Sequence, residues 1–334
     1  MKFGVIIGSF SPLHNGSLTL CKVAKTLSED LIILIINRKN DPVSIELRIS
    51  WLKIEFPTAI IEKISTETKV PNTNLIKFVL DGISKNDFSY DFHIFSSDTY
   101  AVNLAQELKI NFTILDPDRL AQNIQSENLL ADPYGQWFEM PFSVRLSLIR
   151  RVVLIGPESV GKSTLAKKIK SSFFPQPFLP EYGRPYEIFR DPGPYHDDEF
   201  EKIISVHAAH RKALLPFSGP IFVEDTDELT TAVWVEMLMQ KQLPSIEIQI
   251  KLPYHYLLMD PTVPFTSEET RYFDKQKRIE FFEKIKNKLD HYNASYQILT
   301  GSWSAREIEA NKIIEKLLSE KLDWSAISQQ NTWV

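Results

Sequence analysis

Short apolar runs alternate with amphipathic segments along the whole chain. Residues 3–7 and 31–36 are continuous runs of apolar, largely β-branched side chains, a pattern typical of strands buried on both faces. The segment between them, 16–28, spaces its apolar residues as one face of a helix does. The same reasoning predicts further strands at 91–95, 112–115, 151–156, 221–224, 256–259 and 296–299. It predicts further helices at 47–56, 72–83, 99–108 and 164–171, and another from residue 229.

Strands that alternate with helices at this spacing predict an α/β fold with parallel sheets covered on both faces. The alternation restarts at residue 151, and Pro133, Gly135 and Pro141 interrupt it just before that point. At 334 residues the chain has about twice the length of an ordinary domain. We therefore predict two domains, at 1–142 and 150–334.

Composition and charge narrow the classes of protein that the chain can represent. Hydrophobic residues make up 43% and charged residues 24%, the balance of a folded globular protein. The net charge of −5 argues against a general nucleic-acid binder, which needs excess Lys and Arg to neutralise phosphates. The single cysteine, Cys21, excludes an intrachain disulfide, and the longest apolar run, 31–36, is too short to cross a bilayer. We expect a cytoplasmic protein without membrane or nucleic-acid partners.

The strongest chemical motif is GPESVGKST at 156–164, which fits the phosphate-binding pattern G-x-x-x-x-G-K-[ST] between a strand and a helix. Glycines allow the backbone N–H groups to surround a phosphate, and the helix N-terminus adds partial positive charge. Lys162 would contact the β- and γ-phosphates, and the Ser163 hydroxyl would bind Mg²⁺. The motif therefore predicts ATP and Mg²⁺ as ligands. The residues assigned to nucleotide binding are Gly156, Glu158, Ser159, Gly161, Lys162, Ser163 and Thr164.

A second acidic segment follows the predicted strand 221–224, where the chain reads IFVEDTD. Asp225 is the better placed to hold the magnesium ion, while Asp227 or Glu224 could face an acceptor molecule. The alternative is an acidic turn that only stabilises the N-terminus of the next helix.

Phosphoryl transfer also requires an acceptor site and a means of excluding water. Glu181, Tyr182 and Arg184 form a compact polar cluster in which a carboxylate could orient an acceptor hydroxyl and an arginine could bind phosphate or substrate. Farther along, Arg271 and Arg278 flank a polar stretch and suit a lid over the transferring phosphate. The alternative is that both arginines are ordinary exposed residues of a charged helix.

The first strand leads into a glycine-rich turn, GSFSPLHNGS at 8–17, before the first helix. Such a turn predicts a phosphate site at the helix N-terminus, with His14 as a donor and Gly8, Phe10 and Gly16 shaping the loop. The alternative is a turn in which His14 only caps the helix.

These motifs together resemble the NadR family of enzymes, in which a nicotinamide mononucleotide (NMN) adenylyltransferase is fused to a nicotinamide riboside kinase. The resemblance implies a Rossmann-like nucleotidyltransferase domain followed by a P-loop kinase domain, acting in NAD biosynthesis on nicotinamide riboside, NMN and ATP. It places Glu181, Tyr182, Arg184 and Asp227 at the riboside and Asp225 at the magnesium ion, with Lys162 and Arg271 acting on the transferring phosphate. Its lid counterparts here are Pro264, Phe265, Glu268 and Arg271.

The resemblance leaves some roles open. The catalytic base is either Glu181 or Asp227, and the aromatic ring against the nicotinamide comes from Tyr182, Tyr186 or Trp234. Some family members carry an N-terminal helix-turn-helix repressor domain. This chain begins at its first strand, so we expect no operator binding.

The first domain departs from the family pattern in two motifs. Ser17 stands where the family has the second histidine of H-x-G-H, and Glu127 and Leu130 replace a threonine and an arginine of the late triphosphate motif. Arg38, Lys39 or Arg119 could substitute for the missing cation. Three hypotheses follow: a kinase with weak or no adenylyl transfer, a fully bifunctional enzyme that makes NAD, or a nucleotide-sensing protein without turnover.

Overall fold

A computed structural model describes residues 2–68, 72–84, 91–173, 177–262 and 273–327 of the chain. The fold consists of two compact units. The first runs to Leu148 and takes in a segment that begins at Leu322, and the second spans Ile149–Lys321. Among the described residues, none of the helices combines the length and the hydropathy that a membrane span requires.

The first unit is a Rossmann-like layer of parallel strands in the order β3-β2-β1-β4-β5. Its strands are β1 (Lys2–Gly8), β2 (Asp30–Asn37), β3 (Ile60–Ser65), β4 (Asp91–Ser96) and β5 (Asn111–Ile114). Its helices are α1 (Asn15–Thr26), α2 (Ile45–Glu55), α3 (Thr73–Ser84), α4 (Tyr100–Leu108), α5 (Ser126–Ala131) and α6 (Phe142–Leu148). Strand β3 was not predicted, because at the sheet edge most of its side chains are at least partly exposed and charges interrupt its apolar run.

The second unit is a parallel sheet of four strands in the order β7-β6-β8-β9. Its strands are β6 (Arg150–Ile155), β7 (Ile221–Asp225), β8 (His255–Met259) and β9 (Tyr296–Leu299). Its helices are α7 (Lys162–Phe173), α8 (Gly183–Phe189), α9 (Asp197–Leu214), α10 (Glu228–Met239), α11 (Pro244–Glu247), α12 (Lys275–His291) and α13 (Trp303–Ser319). The predicted α/β fold with parallel sheets is confirmed.

Strand β6 contributes side chains to two hydrophobic cores, one on each face of the sheet. Val152 and Leu154 pack toward α7 and α13, while Val153 and Ile155 pack toward α10 and α12. This alternation is what a central strand requires when both faces of its sheet are covered. Because all strands are parallel, the residues that follow them meet at one edge of the sheet, which is where ligands of such folds bind.

Candidate active site

The phosphate-binding loop connects β6 to α7 through a backbone that only glycine can adopt at two positions. Gly156 has a φ of +146°, and a Cβ there would lie 2.9 Å from the carbonyl oxygen of Met259. Gly161 has a φ of +88°, and a Cβ there would lie 1.7 Å from a ring carbon of Trp303. Helix α7 begins immediately afterwards at Lys162. The loop therefore has positive φ angles at the two glycines of the motif, a conformation that side chains larger than that of glycine rarely adopt.

Lys162 is held against this loop. Its Nζ donates to the carbonyl oxygens of Gly156 at 3.0 Å and Pro157 at 2.9 Å, and the side chain is buried. Neutral carbonyls do not neutralise an ammonium group, so the positive charge stays available to an anion in the loop.

Ser163 and Asp225 form the part of the loop that fits a magnesium ion. The Ser163 hydroxyl donates to Asp225 Oδ2, which brings the first turn of α7 against the end of β7. Asp225 is buried, and its Oδ1 has no hydrogen-bond partner among the described residues. A buried carboxylate oxygen next to a hydroxyl is an oxygen pair of the kind that Mg²⁺ takes from a protein alongside substrate phosphates. These residues fit the ion.

Glu181 reaches the site because the chain before it extends the sheet. Leu179 pairs with β7, accepting from Asp225 N and donating to Val223 O, each at 2.9 Å. Two residues later Glu181 lies near Lys162 and Asp225. Burial raises the pKa of Glu181, Lys162 opposes that rise, and Asp225 adds to it. Arg184, mostly exposed, lies 3.8 Å from the Glu181 carboxylate.

Asp227 is also buried, but both of its oxygens have partners. Oδ1 accepts from Thr230 N at 3.2 Å and so caps the N-terminus of α10, and Oδ2 accepts from the Tyr256 hydroxyl at 2.6 Å. Burial raises the pKa of Asp227, although Arg151 lies 3.8 Å away and opposes the rise. Asp227 is therefore more firmly held than Glu181.

A buried network of charged side chains, which was not predicted from the sequence, lies next to Asp227 and contacts it through Arg151. Glu224 accepts from Arg151 at 2.7 Å and from Arg211 at 2.5 Å, and both arginines also contact Glu228. Burial alone would raise the pKa of Glu224, but the two guanidinium groups hold it below its usual value. The alternative that Glu224 faces an acceptor is wrong, because its carboxylate is used within this network. The one signal in the sequence is Arg151, a charge within an apolar strand.

A cavity of about 550 Å³ opens beside the phosphate-binding loop. Its loop end is lined by Glu158, Ser159 and Lys162, and its far end is largely aromatic and apolar. The predicted residues that the cavity brings together are Glu158, Ser159, Lys162, Glu181, Tyr182, Arg184 and Asp227. Tyr182 and Trp234 line it, whereas the Tyr186 hydroxyl donates to Glu199 on α9. A volume of this size accommodates a nucleoside.

Of the residues predicted to form a lid, the structure describes only Arg278. Pro264, Phe265, Glu268 and Arg271 lie outside the described residues. Arg278 is not a lid residue, because it lies in the first turn of α12, is 3% exposed and donates to the carbonyl oxygen of Pro261 at 3.4 Å. Its position in the sequence suggested exposure, but the helix turns it toward the core.

The glycine-rich turn of the first unit is a helix cap built on His14. Ser17 N donates to His14 Nδ1 at 3.3 Å, and the Ser17 hydroxyl donates back to His14 O at 2.9 Å. Burial lowers the pKa of His14 to about 4, with Arg119 contributing to the decrease. The ring is therefore neutral at pH 7, and because Nδ1 accepts, Nε2 carries the proton and can donate. The capping alternative and the donor role are thus compatible.

Arg48, which the sequence did not single out, supports the same turn. It is buried and donates to the carbonyl oxygens of Ser9 at 2.8 Å and Ile36 at 2.9 Å. Phe10, with a φ of +51°, is 5% exposed and packs against Gly8. These contacts fix the turn between β1 and α1.

Comparison with known proteins covers both units. A family model described as "AAA domain" matches residues 151–306. The Trifunctional NAD biosynthesis/regulator protein NadR of Escherichia coli K12 is 22% identical over 95% of this chain and 84% of its own length. A crystal structure of NadR protein in complex with NR matches with a TM-score of 0.68 and 18% identity, covering 96% of this chain and 97% of that one. Another, in complex with NAD and AMP-PNP, gives 0.67 and 17% over the same shares. The resemblance to the NadR family is confirmed.

The departures from the NadR pattern have visible consequences in the first unit. Ser17 uses its hydroxyl within the cap, and Glu127, in the first turn of α5, is close enough to raise the pKa of His14 against the larger effect of burial. Leu130 is partly buried, and its carbonyl oxygen accepts from Trp324 Nε1 at 3.2 Å. Of the possible substitute cations, Arg38 contacts Asp41 at 3.1 Å, Arg119 lies 3.6 Å from Asp98, and Lys39 is exposed.

Proposed function

We propose that the second unit, which spans Ile149–Lys321, transfers the γ-phosphate of ATP to nicotinamide riboside and so produces NMN. The observation that carries this proposal is the continuity of the cavity from Lys162 to Glu181 and on to the aromatic end. One space can thus hold a phosphate donor, a hydroxyl and a flat ring. This choice of acceptor is supported by the NadR relatives, one of which is a NAD biosynthesis protein and another of which was crystallised in complex with NR.

Each residue of the site has a separate role in the proposed reaction. The loop 156–164 binds the ATP phosphates, and Lys162 follows the charge that develops on the transferring group. Ser163 and Asp225 would hold a magnesium ion, which would supply positive charge to the ATP phosphates. Arg184, exposed at the mouth of the acceptor site, is available to the phosphate or the riboside. Arg271 remains assigned to the lid.

We assign the catalytic base to Glu181 rather than Asp227. Asp227 receives a hydrogen bond on each oxygen and caps a helix, so its geometry is already fixed by the protein. Among the described residues, Glu181 makes a long contact to Arg184 and lies near Lys162. Burial raises its pKa, which matches a base that must take a proton from a hydroxyl. Asp227 then orients the riboside from a fixed position.

The first unit, which runs to Leu148 and includes the segment from Leu322, keeps a nucleotidyltransferase fold with weakened adenylyl transfer. Gly8, Phe10, His14 and Gly16 preserve the phosphate turn, which supports some binding of ATP or NMN. The Ser17 hydroxyl is turned into the cap, and Glu127 adds negative charge where a triphosphate needs cations.

Product analysis separates the three hypotheses. Nicotinamide riboside and ATP·Mg²⁺ are incubated with the protein and the products are resolved by chromatography. NMN as the dominant product supports the kinase with a weakened first unit, and NAD at a comparable rate supports the bifunctional enzyme. Absence of both products, with ATP still bound, leaves the nucleotide-sensing protein.

A further inference from the structure

Glu158 lies inside the phosphate-binding loop, but its carboxylate makes a contact outside it. Glu158 Oε1 accepts from the backbone N–H of Phe273 at 2.8 Å, across 115 residues of sequence. Phe273 precedes α12 and its N-cap, Asp274. A hydrogen bond to a charged acceptor in a partly buried place is among the stronger contacts a protein makes. The bond fixes the position of Phe273 relative to the loop.

Phe273 in turn supports the far wall of the acceptor cavity. Its ring is 5% exposed and stacks on Trp234, with centroids 4.9 Å apart and planes inclined by 16°. Phe281 packs against both rings, at 4.8 Å from Trp234 and 5.9 Å from Phe273. Trp234 and Glu158 both line the cavity. A continuous path of contacts therefore joins the nucleotide loop to the aromatic wall.

We propose that Glu158 is a positioning residue that couples the nucleotide loop to the acceptor wall through Phe273 and Trp234. This inference rests on the proposed kinase function. On this proposal, phosphates bound in the loop hold Glu158 in the position from which it accepts from Phe273 N. Trp234 is then fixed against the acceptor. By linkage, nucleotide and acceptor each tighten the binding of the other.

The test is acceptor affinity measured with and without nucleotide. Titration calorimetry gives the Kd of nicotinamide riboside alone and in the presence of saturating AMP-PNP·Mg²⁺. We expect AMP-PNP to tighten riboside binding to the unaltered protein. Glu158→Ala should abolish that gain and raise the riboside Kd of the nucleotide complex about tenfold, the loss expected for one such hydrogen bond. The AMP-PNP Kd measured without riboside should change less than about threefold, because the loop contacts phosphate through the backbone N–H of Glu158 and not through its carboxylate.

Two variants serve as controls. Glu158→Gln keeps an acceptor oxygen but loses the charge, so it should retain more of the coupling than Glu158→Ala does, through a weaker hydrogen bond. Glu307→Gln removes a carboxylate that pairs with Lys168 on α7 outside the cavity, and it should leave both affinities unchanged. Equal loss in Glu158→Gln and Glu158→Ala, or a loss confined to AMP-PNP affinity, would overturn the proposal.

A double variant tests the route through Phe273. Phe273→Leu keeps the backbone N–H but removes the ring that stacks on Trp234. Adding Glu158→Ala to Phe273→Leu should weaken riboside binding much less than Glu158→Ala does alone, because the two residues act in series. Full additivity in variants with unchanged melting temperature would contradict the route. If the unaltered protein binds no riboside at all, the proposed function itself is wrong and this inference fails with it.

Discussion

Each unit has a turn from its central strand into a helix, and the two turns differ in the charge they offer a phosphate. In the second unit, Lys162 lies inside the loop and Ser163 meets the buried carboxylate of Asp225. In the first, neutral His14 and Ser17 satisfy each other, and Glu127 is nearby. A similar backbone arrangement thus carries a cation inside the loop in one unit, and in the other a neutral turn with Arg119 and Glu127 of opposite charge near His14. The fold positions a phosphate, but the side chains decide whether its charge is neutralised.

Among the substitutions that test this difference between the two turns, Lys162→Ala should have the largest effect on activity. Lys162→Ala removes the cation that follows charge onto the transferring phosphate, so we expect kcat for riboside phosphorylation to fall by about 10³-fold or more. Steady-state kinetics and a melting curve measure the loss and the state of the fold. Lys168→Ala, on the same helix but paired with Glu307, is the matched control and should retain activity. Near-normal turnover by Lys162→Ala would show that this loop is not the kinase site.

Glu181→Gln should come next, with a fall in kcat of about 10²- to 10⁴-fold, because the amide cannot take the acceptor proton. Affinity for ATP should be retained. The raised pKa of Glu181 also gives a sign for the pH dependence: the base works when ionised, so kcat falls as pH falls through a value above the ordinary 4.5. A pH–rate profile checks this limb, which should be absent from the residual activity of the variant. An acidic limb unchanged in Glu181→Gln would move the role of base to Asp227.

Asp225→Asn should have a smaller effect that depends on the metal. A neutral amide is a poorer ligand for a hard cation, so we expect the Mg²⁺ concentration for half-maximal rate to rise about tenfold. Raising the Mg²⁺ concentration should restore much of the activity of this variant but none of the activity of Glu181→Gln. The same response to Mg²⁺ in both variants would refute the separate roles.

In the first unit the experiment adds charge-stabilising groups instead of removing them, and the expected change in rate is the smallest of the four. Ser17→His combined with Leu130→Arg returns two donors to the site, and we expect conversion of NMN to NAD to rise about tenfold or more, mainly in kcat. The double variant should exceed either single one, because both groups act on the same leaving pyrophosphate. Leu130 is partly buried, so a melting curve must accompany the rates. No gain in a folded double variant would show that these positions do not limit adenylyl transfer.

The comparison also explains what the sequence could predict. The phosphate-binding loop was found because β6, the glycines, Lys162 and α7 are contiguous and each has a local physical requirement. Strand β3 was missed because an exposed edge strand lacks an apolar run. The Arg151–Glu224 pair was missed because 73 residues separate its members.

Arg278 and Phe273 show a second limit. The charged sequence of α12 predicts an exposed helix, but the side chain of Arg278 is buried. Phe273 and Glu158 are far apart in the sequence, and they meet only in the folded chain. Pairing between distant residues depends on tertiary packing, and no local pattern in the sequence marks it.

The central claim is that the second unit has a complete phosphoryl-transfer site and the first unit a weakened adenylyl-transfer site. The most direct test supplies the same protein preparation with ATP·Mg²⁺ and either nicotinamide riboside or NMN, each at saturation, and measures the two initial rates. We expect riboside to be converted to NMN at least about 10²-fold faster than NMN is converted to NAD, the difference that loss of one charge-stabilising donor typically produces. Equal rates would contradict the account, and Arg119 and Lys39 would then be the first residues to test as the missing cations.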